Sequence, residues 1–509
     1  MHSLPRLIQA GSFGDAENGT LSILEEGAGI PFSVRRIYYI YGVEADCVRG
    51  RHGHKALQQV LLVLNGSIDL HIEGASGSFL FHLNSPDVGV YIPPGHWREL
   101  RNFAPGTVVL VLASDLFSEE DYIRDHGEFV QWLEEQKMPG SVPYLDLKRY
   151  QSRHGGNIEL AIAEVVKSGN YICGPSKARF EAEFAEYCGA RCSVGVGNGL
   201  EALVLILEAL GIGKGDDVIV CASGFVATPL AVSRVGARPV FVDCRPGGNI
   251  DPERIGEALT PACKAILLTH LYGVPADMDA INAIAAKNGL AVIEDACQAH
   301  GALYKGRPCG GLGTAAAFSF YPTKNLGAIG DGGCVVTNDQ ALAEKIRRLG
   351  NYGSAKKYHH EVLGTNSRLD EMQAAILLAK LPQLEEWNER RRRLAGIYFE
   401  QLGGLPDLSL PQAPQWATPV WHVFPVRVRN GRREALVAYL GERGIGTNVH
   451  YPCALHQQIC YTPECGMQSF PEAEALAAEE LSLPLDAMHS SAEIRHVAKT
   501  VAAFFQQGS

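Results

Sequence analysis

The chain has 509 residues, 46% of them hydrophobic, with a formal net charge of −11 at pH 7. That length exceeds one ordinary core and that apolar content opposes extensive disorder, so two or three folded domains are expected. The charge offers no basic field to gather a phosphate backbone, which disfavours nucleic-acid binding, and no apolar run nears the roughly 20 residues that span a bilayer. The densest basic run, Arg390 to Arg393, follows Glu385 and Glu386 in a helical pattern and reads as a solvated, ion-paired face. Thirteen cysteines are scattered without a C-x-x-C pair, and the start MHSLPRLIQAGSFGDAENG has no apolar leader core; a cytoplasmic setting is expected.

From residue 21 to about 115 short β-type runs alternate with Gly, Asn and Pro: FSVRRIYYIYGV, QQVLLVLNGSIDLHIEG, GSFLFHL, VGVYIPPG and GTVVLVLAS. They predict a small antiparallel barrel or sandwich. The acidic, aromatic stretch FSEEDYIRDHGEFVQWLEEQ reads as helical and closes a first domain over residues 1–137, with a linker at 138–142. Over 143–385 the strands DVIVCA, RPVFVDC, KAILLTH, LAVIEDA and AAAFSF alternate with helix-length segments, which predicts a mainly parallel, doubly wound sheet. Residues 386–509 read as a smaller α+β domain of long helix, HVFPVRV strand and helix.

In the first domain, Arg49-Gly50-Arg51-His52-Gly53-His54-Lys55 places two histidines on one face of a strand, a spacing that suits metal ligands. A complete site would also need a glutamate a few residues on and a third histidine near the next turn. Gln58 or Gln59 takes the first place and Arg98 the second, so no metal is expected. Histidines free of metal carry protons near neutral pH, and either Tyr38 or Tyr39, whose side chains point to opposite faces, supplies a second acid or base. Arg49, Arg51 and Arg98 are suited to a diphosphate; the plainer alternative is structural histidines and solvated arginines.

The segments FSVRRIYYI, RGRHGHKALQQ, IPPGHWREL and LASDLFSEEDYIRDHGEF resemble the dTDP-sugar ketoisomerases of the cupin superfamily, across about residues 20 to 137. The resemblance implies an all-β jelly-roll barrel that moves a carbonyl between C4 and C3 of dTDP-4-keto-6-deoxyglucose, with His54 as base and His52 in support.

In the second domain, Gly197-Asn198-Gly199 opens the helical run LEALVLILEAL, and a glycine-opened helix start offers free N–H groups to a phosphate. Asp295 ends a strand, where a carboxylate can hold a pyridinium nitrogen protonated. Lys324 lies in SFYPTKNLGAIGDGG, just past a buried strand, where desolvation makes a lysine nucleophilic.

Through VPYLDL, GNGLEAL, FVATPLAV, HLYGVPADMD, IEDACQAHGA, SFYPTKNLGAIGDGG, GTNSRLDEMQAAI and HYPCALH, the chain from Pro143 onward resembles the nucleotide-sugar aminotransferases of the DegT/DnrJ/EryC1 group. The resemblance implies a fold-type-I enzyme using pyridoxal 5′-phosphate. Lys324 would form the Schiff base, Asp295 would pair with the ring nitrogen, Gln298 would lie near the ring hydroxyl and Phe225 would stack on the ring. Gly199, Leu200 and Ser319 would hold the phosphate, with Asn351 reaching it from the partner subunit of a homodimer or higher homo-oligomer. Tyr321, Asn366, Arg368, His450 and His456 would lie near the sugar nucleotide. One branch of this group replaces the lysine by histidine and removes a hydroxyl; the retained lysine argues for transamination, with L-glutamate as the expected donor. Together the halves imply a dTDP-keto-sugar isomerised and then aminated at C3. The rival expectation makes the barrel a non-catalytic sensor or dimerisation module.

Overall fold

The computed structural model of the chain describes residues 4–506 apart from 16–17, 28, 76, 137–139, 357 and 467. The chain divides into two compact units, residues 1–138 and 139–509. Residues 138 and 139 of the expected linker lie outside the described residues.

In the first unit the alternating runs build two five-stranded antiparallel sheets. One sheet orders Arg6–Gln9, Val88–Ile92, Gln59–Asn65, Val108–Ala113 and Arg36–Ile40; the other orders Tyr122–Ile123, Arg49–His54, His96–Arg101, Ile68–Gly74 and Gly77–Leu83. The period of two along each strand sends Leu61 and Val63 from one sheet and Leu70 and Ile72 from the other into a shared core. Each such buried aliphatic side chain contributes roughly 1.5–3 kcal/mol.

The stretch expected to be helical from Phe117 is helical only over His126–Gln136. Before it, Glu119–Asp121 forms a 3₁₀ turn and Tyr122–Ile123 a short strand that pairs with His54 and Gly53. Strand pairing satisfies that backbone and sets the Tyr122 ring against both histidine rings, which outweighs the local helical preference. Phe129 of the following helix lies directly over Gly53, where a Cβ would come within 2.6 Å of the ring.

The second unit holds a seven-stranded sheet ordered Cys192–Val196, Gly333–Thr337, Ala315–Ser319, Ala291–Asp295, Cys263–Thr269, Asp217–Cys221 and Arg238–Val242. The last five run parallel, and Gly333–Thr337 is antiparallel to both neighbours. Its strands are buried almost throughout, which is why they read as continuous apolar runs. Helix Pro175–Tyr187 is capped from afar: the buried Glu371 carboxylate accepts the N–H groups of Gly174 (2.9 Å), Ser176 and Lys177 (3.1 Å).

A second core gathers around the antiparallel strands Leu408–Ser409, Phe424–Val428 and Glu480–Leu483, with helices Arg433–Gly441 and Ser491–Gln506. Helix Leu384–Leu402 serves both cores, Leu384 and Trp387 the first, Leu394, Tyr398 and Leu402 the second. The expected division between 385 and 386 thus falls near the start of one continuous helix. Val142, given to the linker by the sequence, is instead buried in this second core; its N–H donates to Gly444 O at 2.9 Å and its carbonyl accepts from Gly446 at 2.8 Å. Among the described residues, no helix is long and apolar enough to cross a membrane.

Candidate active sites

His52 and His54 share the interior face of their strand, because Gly53 between them turns outward under Phe129. Arg98, cross-strand from His52, brings one guanidinium nitrogen, Nη2, to 2.6 Å from His52 Nε2 and 2.9 Å from His54 Nε2. The other ring nitrogens meet acceptors: His54 Nδ1 lies 2.7 Å from Asp121 Oδ2 and His52 Nδ1 2.6 Å from Gly50 O. Both Nδ1 atoms therefore carry the hydrogen, and both Nε2 lone pairs face Arg98. Burial first, then the Arg98 charge, lowers the pKa of His52 to about 4 and of His54 to about 2. Both rings are neutral near pH 7, and the His54–Asp121 contact is a hydrogen bond of a neutral imidazole, not an ion pair. A permanent cation, bound to both imidazoles, stands where a shared metal ion would have to sit; among the described residues no three His, Cys, Asp or Glu side chains gather as a ligand set.

Of the two tyrosines, Tyr38 faces inward, its hydroxyl accepting from the buried Gln59 Nε2 at 2.8 Å. Tyr39 is 64% exposed on the outer face, so the expectation that it could serve the interior is corrected by strand alternation. Arg49 and Arg51 are exposed, and Arg51 is the extra residue of a bulge, at φ 47°, where the register passes from Arg98–His52 to Glu99–Gly50. Its side chain leans toward Glu99 and away from the histidines. Asp121 and Tyr122 complete the cluster but were not legible as site residues, since they lie in a stretch whose composition reads as helix.

In the second unit Asp295 ends its strand buried, with Thr228 Oγ1 donating to Oδ2 at 2.9 Å and the Cys297 N–H to Oδ1 at 3.2 Å. Gln298 is held at both ends: Oε1 accepts from Tyr272 N at 2.6 Å, and Nε2 donates to the Tyr451 hydroxyl at 3.1 Å. Lys324 follows strand Ala315–Ser319, part-buried; desolvation lowers its pKa, against the pull of Cys297 and Asp295 nearby. Its loop is pinned by Lys380 Nζ on Gly327 O (2.7 Å), by Gln373 on both backbone groups of Ile329, and by Asn325 Nδ2 on Asn388 Oδ1 (3.0 Å).

Gly199 begins helix Gly199–Ala209, followed by Leu200, and a Cβ on it would lie 2.9 Å from Ser319 Cβ and 2.8 Å from Cys297 Sγ. Only glycine lets this helix start come so close to Ser319, and the pair forms a cradle for an anion. Phe225 is 52% exposed, its ring 5.5 Å from Tyr451, so it is a wall of the cleft and not a core aromatic. A buried carboxylate, a desolvated amine and a helix-start cradle are the donor set that pyridoxal phosphate requires.

The residues expected near the sugar nucleotide divide. Asn366 and Arg368 gather with Asn351, the residue expected to reach the phosphate from the partner subunit: Arg368 Nη1 donates to Asn351 Oδ1 at 3.1 Å and Asn351 bridges Asn366 through the backbone. Tyr321 is 52% exposed. His450 is tied by its N–H to Glu480 Oε2 (2.6 Å) and by Nδ1 to Ser482 Oγ (2.8 Å); burial, then the Lys324 charge, lowers its pKa to about 4. His456 departs from the expectation: it is buried, with Nε2 3.2 Å from Glu474 and its ring against Phe470, and so braces the start of helix Pro471–Glu479. Thr228, Tyr272, Tyr451 and Glu480 were not singled out by sequence; Thr228, Tyr272 and Tyr451 lie in FVATPLAV, HLYGVPADMD and HYPCALH, whereas Glu480 lies in none of the matching segments.

Residues 153–502 match the DegT/DnrJ/EryC1/StrS aminotransferase family, and residues 3–134 match the FdtA family, described as WxcM-like, C-terminal. The chain is 50% identical over 346 residues to the dTDP-3-amino-3,4,6-trideoxy-alpha-D-glucose transaminase of Streptomyces venezuelae, covering 68% of this chain and 91% of that one. It is 48% identical over 361 residues to the dTDP-3-amino-3,6-dideoxy-alpha-D-galactopyranose transaminase of Aneurinibacillus thermoaerophilus, covering 71% and 98%. The crystal structure of S. venezuelae DesV in complex with a ketimine intermediate is similar with a TM-score of 0.71 and 47% identity, over 72% of this chain and all of that one. A pyridoxal-phosphate site of matching chemistry, a family match over most of the length and relatives at this identity lead to one conclusion: the chain belongs to the DegT/DnrJ/EryC1/StrS family of pyridoxal-phosphate-dependent aminotransferases.

Proposed function

We propose that the chain is a bifunctional enzyme of deoxyamino-sugar biosynthesis. Its first unit, a cupin-type ketoisomerase, converts dTDP-4-keto-6-deoxyglucose to the 3-keto sugar. Its second aminates C3 with glutamate as donor and yields a dTDP-3-amino-3,6-dideoxyhexose. The observation that carries this reading is the cluster of His52, His54, Arg98, Asp121 and Tyr38 in the same chain as an aminotransferase site. The FdtA match of the first unit and the 3-amino sugars in the names of the second unit's relatives support it.

In the first unit an imidazole whose Nε2 the entering substrate frees from Arg98 takes the C3 proton, and the electron pair left behind places the enediolate charge on the C4 oxygen, beside the fixed cation of Arg98. Transfer of the C3 hydroxyl proton to the C4 oxygen and return of the abstracted proton to C4 leave the carbonyl at C3 and a hydroxyl at C4. His54 is assigned the base, since Asp121 behind Nδ1 steadies the imidazolium it becomes; His52 and Tyr38 serve the two oxygens.

In the second unit pyridoxal phosphate supplies the electron sink for bond breaking at the amino-bearing carbon. Asp295, fixed by Thr228 and Cys297, keeps the ring nitrogen protonated. Gln298, oriented by Tyr272 and Tyr451, would lie beside the ring, and the Gly199–Ser319 cradle would hold the phosphate. Lys324 Nζ, whose ammonium form burial disfavours, takes and returns the proton at the substrate carbon.

Incubation of the protein with dTDP-4-keto-6-deoxyglucose, pyridoxal phosphate and glutamate should give the 3-amino sugar, identified by NMR. An unchanged 4-keto sugar, with amination only when a 3-keto sugar is supplied, would leave the first unit as a sensor or dimerisation module.

A further inference from the structure

Arg36 is an arginine of the first unit's interior with unmet buried donors among the described residues. It opens strand Arg36–Ile40, and alternation puts it on the same inward face as Tyr38. Its guanidinium lies 5.4 Å from the Tyr38 ring centroid and 5.8 Å from that of Phe117, so aromatic walls hold it in place. Its Nε and Nη2 are both buried and meet no acceptor among the described residues.

The neighbouring arginines are accounted for. Arg35 faces the other way and pairs with Asp115 at 3.2 Å. Arg98 donates to both imidazoles. Arg124, 4.5 Å over the Tyr122 ring, is gripped by both oxygens of Glu119 at 2.7 and 2.9 Å. Leaving charged donors buried and unmet costs more than leaving neutral ones so, and a side chain kept in that state is poised for a ligand that satisfies it. The guanidinium fork matches the paired oxygens of a phosphate. The charge of Arg36 is felt at both His54 and Arg98, which places it in the same interior as the histidine pair.

We propose that Arg36 is the anion-binding residue of the first unit and grips the diphosphate of the nucleotide sugar, directing the sugar ring past Tyr38 toward His52 and His54. The inference rests on reading that unit as a sugar-nucleotide site, and it transfers to Arg36 the role that sequence gave to the exposed Arg49 and Arg51.

The second unit also accepts a nucleotide sugar, so the test must read the first unit locally. In the full chain, dTDP should slow amide hydrogen exchange over residues 36–40 and 115–123. Arg36→Met should abolish that protection and Arg36→Lys, which keeps the charge without the fork, should restore part of it. In the exchange of C3 hydrogen of the 4-keto sugar for solvent deuterium, Arg36→Met should raise KM roughly 10- to 100-fold, the worth of a charge-assisted hydrogen bond, with kcat nearly unchanged. Without ligand, Arg36→Met should melt no lower than the wild type, because it removes an unmet buried cation. Protection by dTDP that survives in Arg36→Met, or is absent from the wild type, overturns the proposal; so does a loss of ligand-free stability with KM intact. Protection that depends on Arg36 in a wild type showing no C3 exchange would instead sink the isomerase reading and leave the anion site standing.

Discussion

Glu480 opens the strand Glu480–Leu483 fully buried, accepting the His450 N–H and the Ser482 hydroxyl, and burial raises its pKa to about 8. A group raised in this way keeps its proton in the folded chain up to about pH 8, whereas the unfolded chain releases it near the ordinary carboxyl value of 4.5. Its contribution to stability is complete below pH 4.5 and is lost as pH rises toward 8, at ~1.4 kcal/mol per pH unit across that window. Glu480→Gln, which reproduces the protonated form, should therefore gain melting temperature over the wild type progressively from pH 5 to pH 8 and no further above. Parallel melting curves for the two proteins at every pH would refute this. Single residues were legible in the sequence where the residue type itself was out of place: Lys324 after an apolar strand, Asp295 at a strand end, two histidines in alternation. Asp121 was not, because its partner His54 lies 67 residues away and no local pattern announces a contact of that span; nor was Glu480, whose contact with His450 spans 30 residues, nor Arg36, whose buried donors have no partner among the described residues to announce them.

The start of helix Pro175–Tyr187 depends on Glu371, the first residue of helix Glu371–Lys380, whose carboxylate takes N–H groups that Gly174 cannot cap with a side chain. Glu371→Ala leaves those donors buried without an acceptor and should lower unfolding stability by roughly 1–3 kcal/mol, read as a shift of the urea midpoint, while Glu371→Gln keeps one oxygen and should lose less. Equal midpoints for all three proteins would remove the cap from the account. At this scale the sequence was most informative where burial is complete, since strands covered on both faces announce themselves as apolar runs. It misled over Phe117 to Ile123, where acidic and aromatic residues form a good helical composition but the backbone is claimed by strand Arg49–His54 and the side chain of Tyr122 by two imidazoles.

Two sites in separately cored units make the halves of the proposed reaction separable within one chain. His54→Asn should stop at the 4-keto sugar yet aminate a supplied 3-keto sugar, and Lys324→Ala should isomerise and go no further. Mixing the two variants should restore amine formation from the 4-keto sugar, followed by NMR; no product from the mixture, with each half-reaction intact on its own, would show that the intermediate does not pass between chains. The architecture of both units was foreseeable from strand rhythm, whereas the point at which the second begins was not, because Val142 looks like any other residue of a Gly-, Ser- and Pro-rich joint. Hydrogen-bonded on both sides to the Gly444–Gly446 turn and packed among the small sheet's side chains, Val142 is in effect the first stitch of the aminotransferase. Anyone trimming the protein to its catalytic C-terminal portion must cut upstream of that stitch: a version starting at Pro143 would open a valine-sized hole beside the turn, and poor expression of such a truncate would say nothing about whether the two enzymes need each other.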